Sequence, residues 1–154
     1  MKPARALWPL WFLLATPLLA LAQPTTCRTP DDVTAAETRA NTAMDEMRAE
    51  QKRQEARVAA LLQSRGEVAG WSPQKQADVL AGIGTTPEFA AFEKEKKPYS
   101  DEMMGVIRTA SQKTNPAPQE TCDDFDRIAR AAEKIKDVNT RQYGFVAEQV
   151  KAAR

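Results

Sequence analysis

Two cysteines constrain this chain more than any other residues. Cys27 lies just ahead of the first helix signal, and Cys122 lies at the start of the last one. A bridge between them requires Cα atoms within about 7 Å. If the pair is oxidised, the first and last helices must begin at the same end of the molecule. Packed side by side they run parallel, and the intervening segments must carry the chain back.

Oxidation depends on compartment, and the first residues speak to that. Lys2 and Arg5 give a short positive start. Leu7 to Leu21 is apolar for about 15 residues, against the roughly 20 that a membrane-spanning helix needs. Ala20-Leu21-Ala22 fits the small-x-small cleavage pattern, and Gln23 opens a polar region. Residues 1–22 therefore read as a secretory signal peptide cleaved after Ala22. The mature chain is expected in the periplasm or outside the cell, with no stable membrane insertion after cleavage. Pro24-Thr25-Thr26 does not supply the small-residue box that a lipid-modified Cys27 would need. In an oxidising compartment two cysteines read as one disulfide.

Residues 23–154 are expected to form a single all-α domain, a small helical bundle. Removing Lys2 and Arg5 from the 22 basic residues leaves 20 against 21 acidic ones, with both signs interspersed. No basic stripe suggests nucleic acid. Strand alternation is absent, and five helix starts are readable. Thr29-Pro30, Ser72-Pro73 and Thr86-Pro87 each pair a hydroxyl N-cap with proline at the first helical position. Ser100-Asp101-Glu102 and Thr121-Cys122-Asp123-Asp124 place carboxylates in a first turn, where the helix dipole favours them. The spacing predicts two long helices, about 30–65 and 122–152, each on the order of 45 to 55 Å. Three shorter helices lie between them: about 73–82, 87–97 ended by Pro98, and 101–113.

Both long helices carry a seam at coiled-coil-like spacing. The first runs through Val33, Glu37, Ala40, Met44, Met47, Gln51, Gln54, Val58 and Leu61. The last runs through Phe125, Ile128, Ala132, Ile135, Asn139, Gln142, Val146 and Gln149. Each turns polar midway, at Gln51 and Gln54 and at Asn139 and Gln142. These four are expected to form a polar stretch where the long helices meet.

The chain has no histidine, which removes Ser-His-Asp and Cys-His machinery and most zinc sites. Ser72-Pro73-Gln74-Lys75 matches the S-x-x-K nucleophile motif of penicillin-binding proteins. Ser100-Asp101-Glu102 and Lys113-Thr114-Asn115 follow in that family's order, but both depart at the third position. No strand is readable to carry the last motif, so Ser72 reads as an N-cap. Met44, Met47, Met103 and Met104 read as core filler in preference to a soft copper site. No enzyme activity, cofactor or metal is expected.

The expected function is binding of another protein or a peptide. A candidate patch comprises Trp71, Phe89, Phe92, Met103 and Met104. A structural subunit of an envelope, secretion or conjugation assembly, with homo-oligomerisation through the long helices, is the first alternative. A Spy-type periplasmic chaperone is the second; Trp71-Ser72-Pro73-Gln74 is its only echo, and that group's repeated Leu-Thr-x-x-Gln is not matched. N-terminal sequencing of the exported protein is expected to begin at Gln23. Intact Met1 in the membrane fraction would instead mark the leader as an anchor.

Overall fold

The computed structural model describes residues 26–153. The expected signal peptide and its cleavage site lie outside the described residues. Four α-helices and no strand make up the described chain: α1 (Pro30–Ala69), α2 (Pro73–Gly84), α3 (Pro87–Ala110) and α4 (Pro118–Ala152). At 1.5 Å per residue α1 is about 60 Å long and α4 about 52 Å.

The hydroxyl-proline starts behave as local chemistry dictates. Thr29 caps α1 by accepting from the Asp32 N–H, while the Asp32 side chain accepts from the Thr29 N–H, closing a capping box. Ser72 and Thr86 cap α2 and α3 by accepting from the Lys75 and Phe89 amides. At the other end of α1, Gly70 adopts φ 68° as a left-handed C-cap.

The number of short helices differs from the sequence reading, because 87–97 and 101–113 are one helix. Pro98 sits inside α3. It lacks an N–H and its ring crowds the Lys94 carbonyl, at a cost of about 3 kcal/mol. Packing on α4 to both sides of Pro98 outweighs that cost. Phe92 packs on Phe145 with ring centroids 6.0 Å apart and Arg141 bonds Glu95 at 2.5 Å on one side. Val106 joins Ile128, and Arg127 bonds Glu102 at 3.1 Å, on the other. Ser100 therefore caps nothing.

Two further boundaries move. α1 runs through Gly66 to Ala69 and ends at the left-handed cap Gly70; Gly66 is buried, and the end of the Gln76 side chain of α2 lies where its Cβ would be. α4 starts at Pro118, not Cys122. Proline is preorganised for the first helical position, and Ala117 precedes it without a side-chain cap. Thr121 lies inside the helix and donates back to the Ala117 carbonyl at 3.2 Å.

Cys27 and Cys122 form a disulfide, with Cα atoms 6.2 Å apart and both residues buried. α1 and α4 run parallel from that point in nearly constant register. Arg39 bonds Asp126, Lys136 bonds Glu46, Tyr143 bonds Glu55 and Arg65 bonds the Ala153 carbonyl, at sequence offsets of 87, 90, 88 and 88. α3 returns antiparallel along α4, and α2 crosses the far end.

The buried line of α1 is Ala36, Ala40 and Ala43, then Val58, Leu62 and Gly66. Glu37, placed on the seam by its spacing, is exposed, and so is Gln149 of the α4 seam. The core falls into three blocks. The first surrounds the disulfide with Ala36, Val33 and Phe125. The second joins Ala40, Val106 and Ile128, with Met44 and Met103 packed against them. The third gathers Val58, Leu62, Ile83, Val146, Ala147 and Val150 at the α2 end. No helix among the described residues is long and apolar enough to cross a membrane.

The bridge closes a loop with a sequence separation of 95, for which chain entropy gives about 4 to 5 kcal/mol. Unreduced protein from its native source is expected to show no alkylated cysteine by mass spectrometry. Cys27→Ser with Cys122→Ser is expected to lower the denaturant midpoint accordingly. Two free thiols in native material would remove the clamp.

Candidate functional site

α1 and α3 both lie along α4, yet no Cα of one comes within 8 Å of a Cα of the other. Between the second and third core blocks this leaves a cleft of about 370 Å³ with α4 as its floor. Met47 and Gln51 of α1 form one wall, and Phe89, Glu93, Lys96, Ser100 and Met103 of α3 form the other. The floor presents Ile135, Asn139, Gln142, Tyr143 and Val146. On α1 the cleft coincides with the stretch from Met44 to Arg57, in which no residue is fully buried.

The expected polar stretch is real on α4 and differently placed on α1. Asn139 is 6% exposed and Gln142 4%. Gln142 binds α3, not α1. Its Nε2 donates to Glu93 Oε1 at 2.6 Å, and its Oε1 accepts from Lys96 Nζ at 3.2 Å. Lys96 also pairs with Glu93 at 2.7 Å. Gln51 is exposed and donates to Glu55 of its own helix, and half-buried Gln54 donates to Glu50 at 2.6 Å. Both glutamines thus find hydrogen-bond partners one turn away on α1 itself.

Burial opposes ionisation of Glu93, but hydrogen bonds from Lys96 and Gln142 outweigh it and hold the carboxyl below its ordinary range. Glu55 is lowered by hydrogen bonds from Gln51 and then Tyr143. Burial, reinforced by the bond to Glu55, pushes the Tyr143 phenol up to about 12. Among the described residues no group of three or more His, Cys, Asp or Glu is placed to hold a metal.

The five residues of the sequence-derived patch are distributed along the bundle. Trp71 is half-buried on the core block at the α2 end, with the Arg65 guanidinium 6.0 Å from its ring. Phe89 packs on the same block and reaches the cleft. Phe92 is half-buried against Phe145, under the Arg141 guanidinium. Met103 packs on the middle block and lines the cleft, whereas Met104 is 54% exposed. Glu93 and Lys96 were not singled out in sequence, and Ser100 was read there only as a helix start and a motif position. Together with Met103 they recur at helical spacing, a stripe that a helix break at Pro98 conceals.

No protein-family model, curated protein or solved structure matches this chain.

The raised Tyr143 pKa sets a pH window. The fold favours the neutral phenol, so its stabilising contribution is fully present below pH about 10 and is lost as pH rises toward about 12. A phenolate absorbance step near 12 is expected in the wild type and absent from Tyr143→Phe. A Tyr143 step near 10 would place that side chain in water, away from Glu55.

Proposed function

We propose that this is an exported, non-catalytic helical protein that binds a segment of another protein or a peptide in the cleft between α1 and α3. The observation that carries the reading is the separation of these two helices over a shared floor. It leaves a concave surface on which Met47, Phe89, Met103, Ile135 and Val146 alternate with polar groups from all three helices, and a concave site with apolar lining and converging polar groups is the usual make-up of a binding site. Met47 and Met103 face it from opposite walls, and methionine adapts to varied partners. The buried disulfide and the leader-like residues 1–22 support an oxidising compartment. The assembly alternative has its own support in Met104 and Ile107, exposed at 54% and 39% one turn apart on α3.

Site-specific photo-cross-linking in the native envelope separates these readings. Benzoylphenylalanine at positions 47 and 103 is expected to capture one and the same partner, while position 94 on the exposed side of α3 captures none. The purified partner is then expected to lose binding to Ser100→Arg, which fills the cleft. Capture only from positions 104 and 107, by a second copy of this chain, would favour the assembly.

A further inference from the structure

Asn139 differs from every other polar side chain at the cleft floor. It is 94% buried, and its carboxamide hydrogen-bonds no described protein group. Arg65 Nε is the sealed side-chain nitrogen or oxygen without a partner among the described residues. The Asn139 amide is thus unpartnered and unsealed, and it opens into the cleft that it lines. Its neighbour Gln142 donates to Glu93 and accepts from Lys96. The floor therefore offers one donor and one acceptor side by side, among Phe89, Met47, Met103, Ile135 and Val146. Buried polar groups as a rule find partners, and the free donor and acceptor of this one lie at the cleft.

We infer that the cleft holds an extended, apolar peptide segment, with one of its backbone amides paired to the Asn139 carboxamide. This rests on the peptide-binding reading above and narrows it. A carboxamide matches a peptide group donor to acceptor, and a helical ligand has no free backbone amide to offer there because its N–H and C=O groups are bonded internally. The volume of about 370 Å³ is at the small end of ligand sites. At about 3.3 Å per extended residue, it suits two or three residues with their apolar side chains against the methionines and Phe89.

The test titrates acetyl-Leu-Ala-Leu-N-methylamide into the full chain and follows the Asn139 side-chain amide and the Met47 and Met103 methyls by NMR. Saturable shifts at all three are expected in the millimolar range. Asn139→Leu is expected to weaken binding roughly tenfold, the usual consequence of one lost buried hydrogen bond. The same loss is expected when an ester replaces one of the two inner amides of the ligand, Leu–Ala or Ala–Leu, which tests the contact without altering the protein. Absence of saturable shifts, or binding indifferent to both changes, overturns the inference. If the cross-linked partner still binds Asn139→Leu at full strength, the cleft reading stands and the amide pairing falls. If no partner is captured from positions 47 and 103, the wider reading fails on its own.

Discussion

The bond between Cys27 and Cys122 fixes which ends of α1 and α4 meet, and the remaining packing follows the direction it sets. With both N-terminal ends tied, the two helices rise together at the same 1.5 Å per residue. Contacts then repeat at offsets of 87 to 90 for the length of the pair. Alanines at 36, 40 and 43 bring α1 close to α4 near the clamp. Farther along, Val58 and Leu62 pack with Val146 and Val150. A parallel pair cannot be joined by a short turn, so α2 and α3 must return the chain, and α3 does so antiparallel on α4.

That return path creates the cleft. α4 is the shared helix, buried along most of its length, and α1 and α3 each rest on it without backbone approach to one another. Where all three meet through Ala40, Val106 and Ile128, the core is apolar. Where α1 has no buried residue, the facing surface of α4 carries Asn139 and Gln142. One of these is satisfied by α3 and the other is left to the cleft. The polar interruption of the α4 seam thus coincides with the floor of the cleft.

Much of this was legible in the sequence because its signals are local. Thr29-Pro30, Ser72-Pro73 and Thr86-Pro87 mark real N-termini, since a hydroxyl cap and a preorganised proline need only their own turn. The cysteine positions also encode the parallel arrangement through simple geometry. The α4 seam from Ile128 to Val146 is buried as its spacing implies. What failed did so where tertiary packing overrides a local rule. Pro98 reads as a stop, yet contacts on both sides of it hold α3 together. The first helix reads as ending near residue 65, yet it continues through Gly66, which packs against the Gln76 side chain. Thr121 reads as a cap, but the helix begins a turn earlier at Pro118. The cleft's α3 wall was lost with the first of these errors, because Glu93, Lys96, Ser100 and Met103 form a stripe only on an unbroken helix.

The parallel register of α1 and α4 is the claim on which the clamp, the return helix and the cleft all rest. Zero-length carbodiimide cross-linking with peptide mass spectrometry tests it directly, since it joins only lysines and carboxylates already in contact. Glu46 and Lys136, 2.7 Å apart across the two helices, are expected to appear as a linked pair. Links from Lys151 to Asp31 or Glu37, at opposite ends of the bundle, would show the helices running antiparallel and contradict the arrangement.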